Sequence, residues 1–344
     1  MIYFDEILKN KNSIGFLRLI SAWLVVIGHS VPFGIFGEDL LIKITNNQLA
    51  VGRFPVDLFF VLSGFLIFSS YDRINNFIKF LWYRFIRIYP AYWVCIFLTA
   101  FVLAPSVGLG VDYKYFIVNI SIILIKDFSI GEIGLSNNIN SALWTLPWEL
   151  KAYIIIGLLG LFNLLNKYWV IPIIFLFFYG IFIYKIINSP LGLETGEAIT
   201  SGYRLFTFFF IGAVFYLFRN RIYISNILFV LSVFFIFLCI LLGNIFYHHS
   251  AGFYYIFCPI PFSYIIFYFA YKLPFTSINT KTDTSYGVYI YGSIVLNVLT
   301  YLKLNNNYWI YLLLTIIITY FLSYLSWFLI EKKALNLKNK LFKN

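Results

Sequence analysis

Charged residues are scarce in this sequence. Only 11% of its 344 residues are Asp, Glu, Lys or Arg, against 61% hydrophobic, and the mean hydropathy is +0.86. Soluble domains carry about 25% charge, so an ordinary water-soluble fold is excluded. Cysteine is scarcer still. Cys95, Cys239 and Cys258 are odd in number and lie in apolar runs, which rules out a disulfide scaffold and reads as small core residues. The chain also lacks G-x-S-x-G, H-E-x-x-H and Walker signatures, internal repeats, low-complexity stretches and any appended soluble domain. No small-residue cleavage site follows the first apolar run, so that run is a retained helix and not a signal peptide.

What is abundant is aromatic and aliphatic. Phe, Tyr and Trp make up 22% of the chain, and with this hydropathy they argue for an all-α polytopic membrane protein, not a polar-lumen barrel. Apolar runs place ten spans, near 14–33, 55–70, 88–104, 143–162, 168–187, 202–218, 223–243, 252–270, 285–302 and 308–330. The stretch 116–125 is too short to span and is read as an interfacial or re-entrant piece of a long outer segment. The net charge of +11 would point to nucleic acid in a soluble protein; here it is distributed between spans. Arg73, Lys79, Arg84 and Arg87, then Lys167, Arg219 and Arg221, Lys272 and Lys281, and the lysines of the tail all fall inside if both termini are cytoplasmic. The predicted organisation is one domain over 1–344, a helical bundle at 14–330 with a basic cytoplasmic tail at 331–344, in a multi-pass membrane setting with no nucleic-acid partner.

Ionisable groups inside spans are costly and are therefore the first candidates for function. Arg18 and His29 share the first span, eleven positions apart, which is about three helical turns and roughly 16 Å of rise on one face. The bland alternative is a snorkelling Arg and a hydrogen-bonded core His. Asp57 enters the second span at the depth of His29, where it could orient the imidazole, or serve only as a first-turn acid favoured by the helix dipole. Ser63 and Gly64 fit small-residue helix packing better than a nucleophile. Arg84 and Arg87 lie one turn apart just before Pro90; two guanidinium groups there suit phosphate, or are an ordinary positive-inside cluster. Glu149 and Lys151 lie inside an apolar run with Trp144 and Trp148 one turn apart; the Glu can bind a substrate hydroxyl, pair with an Arg or form a structural Glu–Lys pair. His248 and His249 read as exposed loop residues, and Glu331 as the end of the last span.

Six stretches, FLRLISAWLVVIGHS, VDLFFVLSGFLI, RFIRIYPAYW, LWTLPWELKAY, SYGVYIYG and WFLIEKKALNLKNKL, occur in this order over almost the full length. Together they resemble the integral-membrane acyltransferase-3 family, whose members O-acylate bacterial surface sugars. The Arg, ten residues, His spacing is the family hallmark, and the resemblance implies functional roles for Arg18 and His29. It implies roles also for Asp57, Arg84 and Arg87, while Glu149 and Glu331 fall on further family patterns. Many relatives carry a His where this sequence has Gly292, so a function that needs that second His is in doubt. The Leu-Trp-Thr-Leu-Pro form, with Trp144, resembles the polysaccharide-acetylating branch, of the stand-alone type that modifies O-antigen or capsule sugars.

The resulting expectation is an O-acyltransferase of the bacterial inner membrane. It moves an acyl group, expected to be acetyl from acetyl-CoA, to a hydroxyl of a surface polysaccharide or its lipid-linked precursor. His29 is the general base and Asp57 orients it; Arg84 and Arg87 bind the donor's phosphates from the cytoplasm, and Arg18 stabilises donor or developing negative charge. Glu149, Trp144 and Glu331 are substrate-binding or structural. Neither a metal nor a resident cofactor is expected, acetyl-CoA being a substrate. The rival reading is a transporter or glycan exporter that uses the same buried charges as a path.

Overall fold

The computed structural model describes residues 2–124, 139–188, 202–246, 251–338 and 340. His248 and His249 lie outside them. Among the described residues all regular elements are helical, apart from one isolated antiparallel bridge between Tyr3 and Tyr223. In chain order the long helices are α1 (Ile14–Phe33), α2 (Phe54–Ile74), α3 (Phe77–Leu98), α4 (Leu146–Leu161), α5 (Val170–Ile187), α6 (Gly202–Leu217) and α7 (Asn226–Phe246). The broken pair α8 (Ala251–Phe257) and α9 (Pro259–Lys272) follows, then α10 (Ser285–Tyr301) and α11 (Tyr308–Ser326).

Helix thus occupies each of the ten predicted segments, and among the described residues seven are long and apolar enough to cross a membrane: Ile14–Phe33, Phe54–Ile74, Phe77–Ser106, Ser141–Leu161, Val170–Ile187, Asn226–Ile245 and Tyr308–Asn336. The chain is a multi-pass membrane protein. The remaining three segments are shorter or broken, α6 having 16 residues and α10 having 17. At 252–270 the helix stops at Cys258, because Pro259 has no N–H to continue the ladder and restarts it at a first position, where none is needed.

The third helix begins eleven residues before the predicted 88. Asn76 caps it, its side chain accepting from the Lys79 N–H at 2.9 Å. Lys and Arg are good helix formers, so Lys79, Arg84 and Arg87 ride on α3 and are not in a loop. Pro90 sits inside the helix, which continues through a π-helical turn, Thr99–Leu103, to Ser106. The described part of the stretch 116–125 carries the end of the seven-residue helix Tyr113–Asn119 and the turn Ile122–Leu124. It is pinned to α3, where Tyr92 Oη donates to the Asn119 carbonyl and Trp93 Nε1 to the Ile120 carbonyl at 2.9 Å.

The chain divides into two compact units, each assembled from three separated stretches. The first comprises Met1–Ser21, Glu38–Asn75 and Ile155–Lys281, and the second Ala22–Gly37, Asn76–Ile154 and Thr282–Asn344, so the boundaries fall inside α1 and α4.

In the first unit α2 and α6 run parallel with their backbones nearly touching. A Cβ on Gly64 would lie 1.8 Å from the Phe209 carbonyl oxygen, and one on Gly212 would lie 2.0 Å from that of Val61. Only glycine permits so close an approach. Further along, Tyr216 Oη donates to Asp72 at 2.7 Å. Aromatic rings fill the space beside this pair. Phe65 meets Phe267 at 4.7 Å and Phe267 meets Phe215 at 5.3 Å, while Phe178 of α5 stacks on Phe210 at 5.4 Å. Few residues of α7 are buried, so in a chain this apolar its remaining surface is suited to lipid.

In the second unit α10 carries a buried polar stripe. Tyr289 Oη donates to the Ala142 carbonyl at 2.9 Å, Asn140 Nδ2 to the Ile290 carbonyl at 2.8 Å and Asn297 Nδ2 to the Ile139 carbonyl at 3.0 Å. These bonds hold residues 139–145, which are not α-helical, against α10. Irregular backbone is tolerated at membrane depth only when its polar groups are satisfied in this way. On the other side of α10, Gly287 packs on Ser323 of α11.

The glycine contact yields a direct test. Gly64→Val puts side-chain atoms into the α6 backbone and is expected to destabilise the protein at or above the upper end of the roughly 1–3 kcal/mol typical of overpacking. Gly180→Ala on α5, where a Cβ meets nothing within 4 Å, is the control and should leave stability unchanged or slightly raised, since Ala favours a helix interior over Gly. Thermal unfolding of the two variants in detergent, with gel-filtration profiles, measures the difference.

Candidate functional site

His29 lies near the end of α1, half-buried, with its ring edge-on to Phe33 at 5.5 Å. Its Nδ1 is 2.7 Å from the Val25 carbonyl oxygen, one turn back. A carbonyl can only accept, so in the neutral ring Nδ1 carries the hydrogen and Nε2 carries the lone pair. The tautomer is therefore set from within the helix, by a backbone group that no sequence motif displays. Arg18 stands on the same unbroken helix and is also half-buried; it belongs to the first unit and His29 to the second.

Also in the second unit, Arg87 meets two carboxylates. Its Nη2 donates to Asp283, and its Nη1 is 3.9 Å from Glu331, which is 2% exposed. Glu331 also accepts from Ser326 Oγ at 3.0 Å, and Asp283 from Ser285 Oγ at 2.5 Å. Glu331 closes a π-helical turn, Trp327–Glu331, which extends α11. Two predicted residues, Arg87 and Glu331, are thus brought together, with Asp283 as the partner that sequence reasoning missed. Arg84, one turn before Arg87, is half-buried with its guanidinium 5.8 Å from the Phe80 ring centre.

Glu149 falls in the first turn of α4 and accepts from Tyr153 Oη. Lys151 places its ammonium 4.2 Å from the centre of the Trp148 ring, a cation–π contact in which the Lys meets an aromatic face. Trp144 is half-buried in the 3-10 helix Ser141–Thr145. At Gly292 a Cβ would lie 2.3 Å from Val26 Cγ2, so a side chain there would have to displace that methyl of α1.

In the first unit Asp57 is fully buried in the first turn of α2 and pairs with Arg204 of α6, itself 1% exposed. Arg204 Nη1 is 3.0 Å from Asp57 Oδ1 and donates to Oδ2 at 3.1 Å, and it donates also to Tyr255 Oη at 3.3 Å. Arg204 went unnoticed in the sequence although its signal was there, an Arg near the head of the apolar run 202–218. Tyr255, in an aromatic-rich chain, had none. Among the described residues no group of three His, Cys, Asp or Glu side chains is placed to hold a metal ion.

With this geometry in view, comparison with known proteins is informative. The acyltransferase-3 model, an acyltransferase domain, matches residues 11–328. An O-acetyl transferase of Shigella phage Sf6 is 27% identical, the match covering 95% of this chain and 97% of that protein. No solved structure matches.

The Arg87 cluster predicts a graded response. Glu331→Ala strips a buried partner and should cost about 3–5 kcal/mol, as breaking buried ion pairs does. Asp283→Ala should cost less, since the Asp283 side chain is 14% exposed and water can replace part of what is lost. Melting temperatures of the two variants, measured without donor, check the order.

Proposed function

Because this chain belongs to the acyltransferase-3 family, we propose that it is a membrane O-acyltransferase transferring an acetyl group from acetyl-CoA to a hydroxyl of a bacterial surface polysaccharide or its lipid-linked precursor. The observation that carries the reading is the His29 tautomer. With Nδ1 donating to Val25, Nε2 holds the lone pair that a general base needs. In the reaction the acceptor hydroxyl gives its proton to His29 and its oxygen bonds the thioester carbonyl carbon. The C–S bond then breaks, and the CoA thiolate takes up the proton.

The other candidates take roles by their chemistry. Arg84 and Arg87 bind donor phosphates, with Arg87 exchanging its contact to Asp283 for a phosphate oxygen. Arg18 stabilises negative charge on the donor. Asp57 serves the reaction as an orienting carboxylate. Glu149 and Trp144 are assigned to the acceptor, and Glu331 to holding Arg87. The two units act as one acyltransferase domain: each is built from three separated stretches, and the family match runs through both.

Helix directions in the second unit support the ten-span topology in the inner membrane. Parallel to α10 runs α3, with Arg87 beside Asp283 and Cys95 beside Ile290, whereas the segment leading into α4 runs antiparallel, with Ile139 beside Asn297 and Thr145 beside Tyr289. If both α3 and α4 cross, they cross in opposite senses, as the ten-span reading requires. Similarly, α1 is parallel to α10, with Val26 at Gly292 and Phe33 at Thr300, and α10 is antiparallel to α11. The start of α1 and the end of α11 then share one side, which the basic tail assigns to the cytoplasm.

Two measurements test this. Purified protein should consume acetyl-CoA, which a transporter has no reason to do, and His29→Ala should lower transfer by roughly 10²–10⁴-fold at normal protein level. In the same series Arg84→Ala with Arg87→Ala should weaken acetyl-CoA binding while His29→Ala leaves it intact; wild-type transfer by His29→Ala would end the base assignment. Reporter fusions at the two termini should both report the cytoplasm, and a tail found outside would refute the topology.

A further inference from the structure

We propose that Arg204 is a positioning residue for acyl transfer, holding the Asp57 carboxylate in one orientation. The inference rests on the reading that Asp57 serves the reaction, and it concerns the first unit alone.

Arg204 stands where local forces disfavour it. It is the third residue of α6, where a cation opposes the positive end of the helix dipole. Among the described residues it is also the largest fully buried side chain. Burying a guanidinium costs several kcal/mol before any contact is made. Asp57 compensates electrostatically, but a buried ion pair is a poor device for stability alone, since apolar side chains of similar volume usually do as well or better.

Nor is the pair arranged as a purely structural one would be. Asp57 Oδ1 and Arg204 Nε are buried without a hydrogen-bond partner among the described residues. A pair kept for stability satisfies its atoms; here Arg204 Nε is left without a partner, and Asp57 Oδ1 is met at 3.0 Å only by the same Nη1 that donates to Oδ2.

The surroundings make the orientation rigid. Near contact of the α2 and α6 backbones at Gly64 and Gly212 fixes the register that brings residues 57 and 204 face to face. Tyr255 of α8 accepts from Arg204 Nη1 and presents its ring 5.6 Å from the guanidinium carbon, so the Arg is held by a third helix. A charged group supported in this way is preorganised rather than recruited.

The experiment uses the full chain in detergent, with acetyl-CoA and a glycan acceptor, and expresses kcat per folded molecule by gel filtration. Arg204→Lys keeps the charge but shortens and reshapes the donor. Misplacing Asp57 in this way should lower kcat by roughly 10–100-fold, with the acetyl-CoA KM unchanged; a merely structural Arg204 would leave kcat per folded molecule at the wild-type value, and that result overturns the proposal. The neutral pair Asp57→Asn with Arg204→Gln gives the second arm, and it decides the matter should Arg204→Lys not fold. It should recover the melting temperature and remain inactive, whereas recovery of activity together with stability overturns the proposal. Asp57→Asn alone separates the two failures. If it retains wild-type kcat, the underlying role of Asp57 fails; if it is inactive while Arg204→Lys is fully active, only the positioning role of Arg204 does.

Discussion

A charge inside a bilayer needs a partner that travels with it, because insertion alone costs about 2.5–3.5 kcal/mol per ionised side chain even on lenient scales. Much of this structure is organised by that requirement. Asp57 and Arg204 join α2 to α6, and Arg87 joins α3 to the loop before α10 and to the end of α11 through Asp283 and Glu331. Lys151 uses the face of Trp148, and Arg84 the ring of Phe80. The abundance of aromatic residues therefore has an electrostatic use as well as a packing one: ring faces accept cations where water cannot.

The backbone is under the same constraint. Away from water every N–H and C=O must be satisfied, so a departure from α-helix is sustained only by side chains that supply the missing bonds. Residues 139–145 show how this is done, with Tyr289 and Asn297 of α10 donating to the Ala142 and Ile139 carbonyls and Asn140 donating back to the Ile290 carbonyl. Two π-helical turns, Thr99–Leu103 and Trp327–Glu331, mark further departures, and the second ends on the acid that meets Arg87. Such turns shift the facing of the residues beyond them, and here the shifted residue is a charged one.

A good part of this was legible in the sequence. The apolar runs located helix in every predicted segment, and Arg18 and His29 do share one unbroken helix. Asp57 does lie in a helical first turn, and Gly64 is the packing residue it was read to be. Other features were less accessible. The start of α3 at Phe77 depends on an Asn cap, a one-residue signal submerged in a charged stretch that looks like a loop. Arg204 was within the predicted sixth span, and consistent attention to ionisable groups in spans would have singled it out. Asp283 could be seen only as one polar residue among several before α10.

Hydropathy, caps and proline act over a few residues, so which stretches are helical and which ionisable groups each carries can be read along the chain. Which of those groups meet is a matter of how the helices pack. Asp57 and Arg204 are 147 residues apart, and Arg87 and Asp283 are 196 apart. Their pairing depends on which helices are neighbours, how each is rotated and how closely a glycine lets two backbones approach, and these are properties of helix surfaces in combination, which no local pattern encodes.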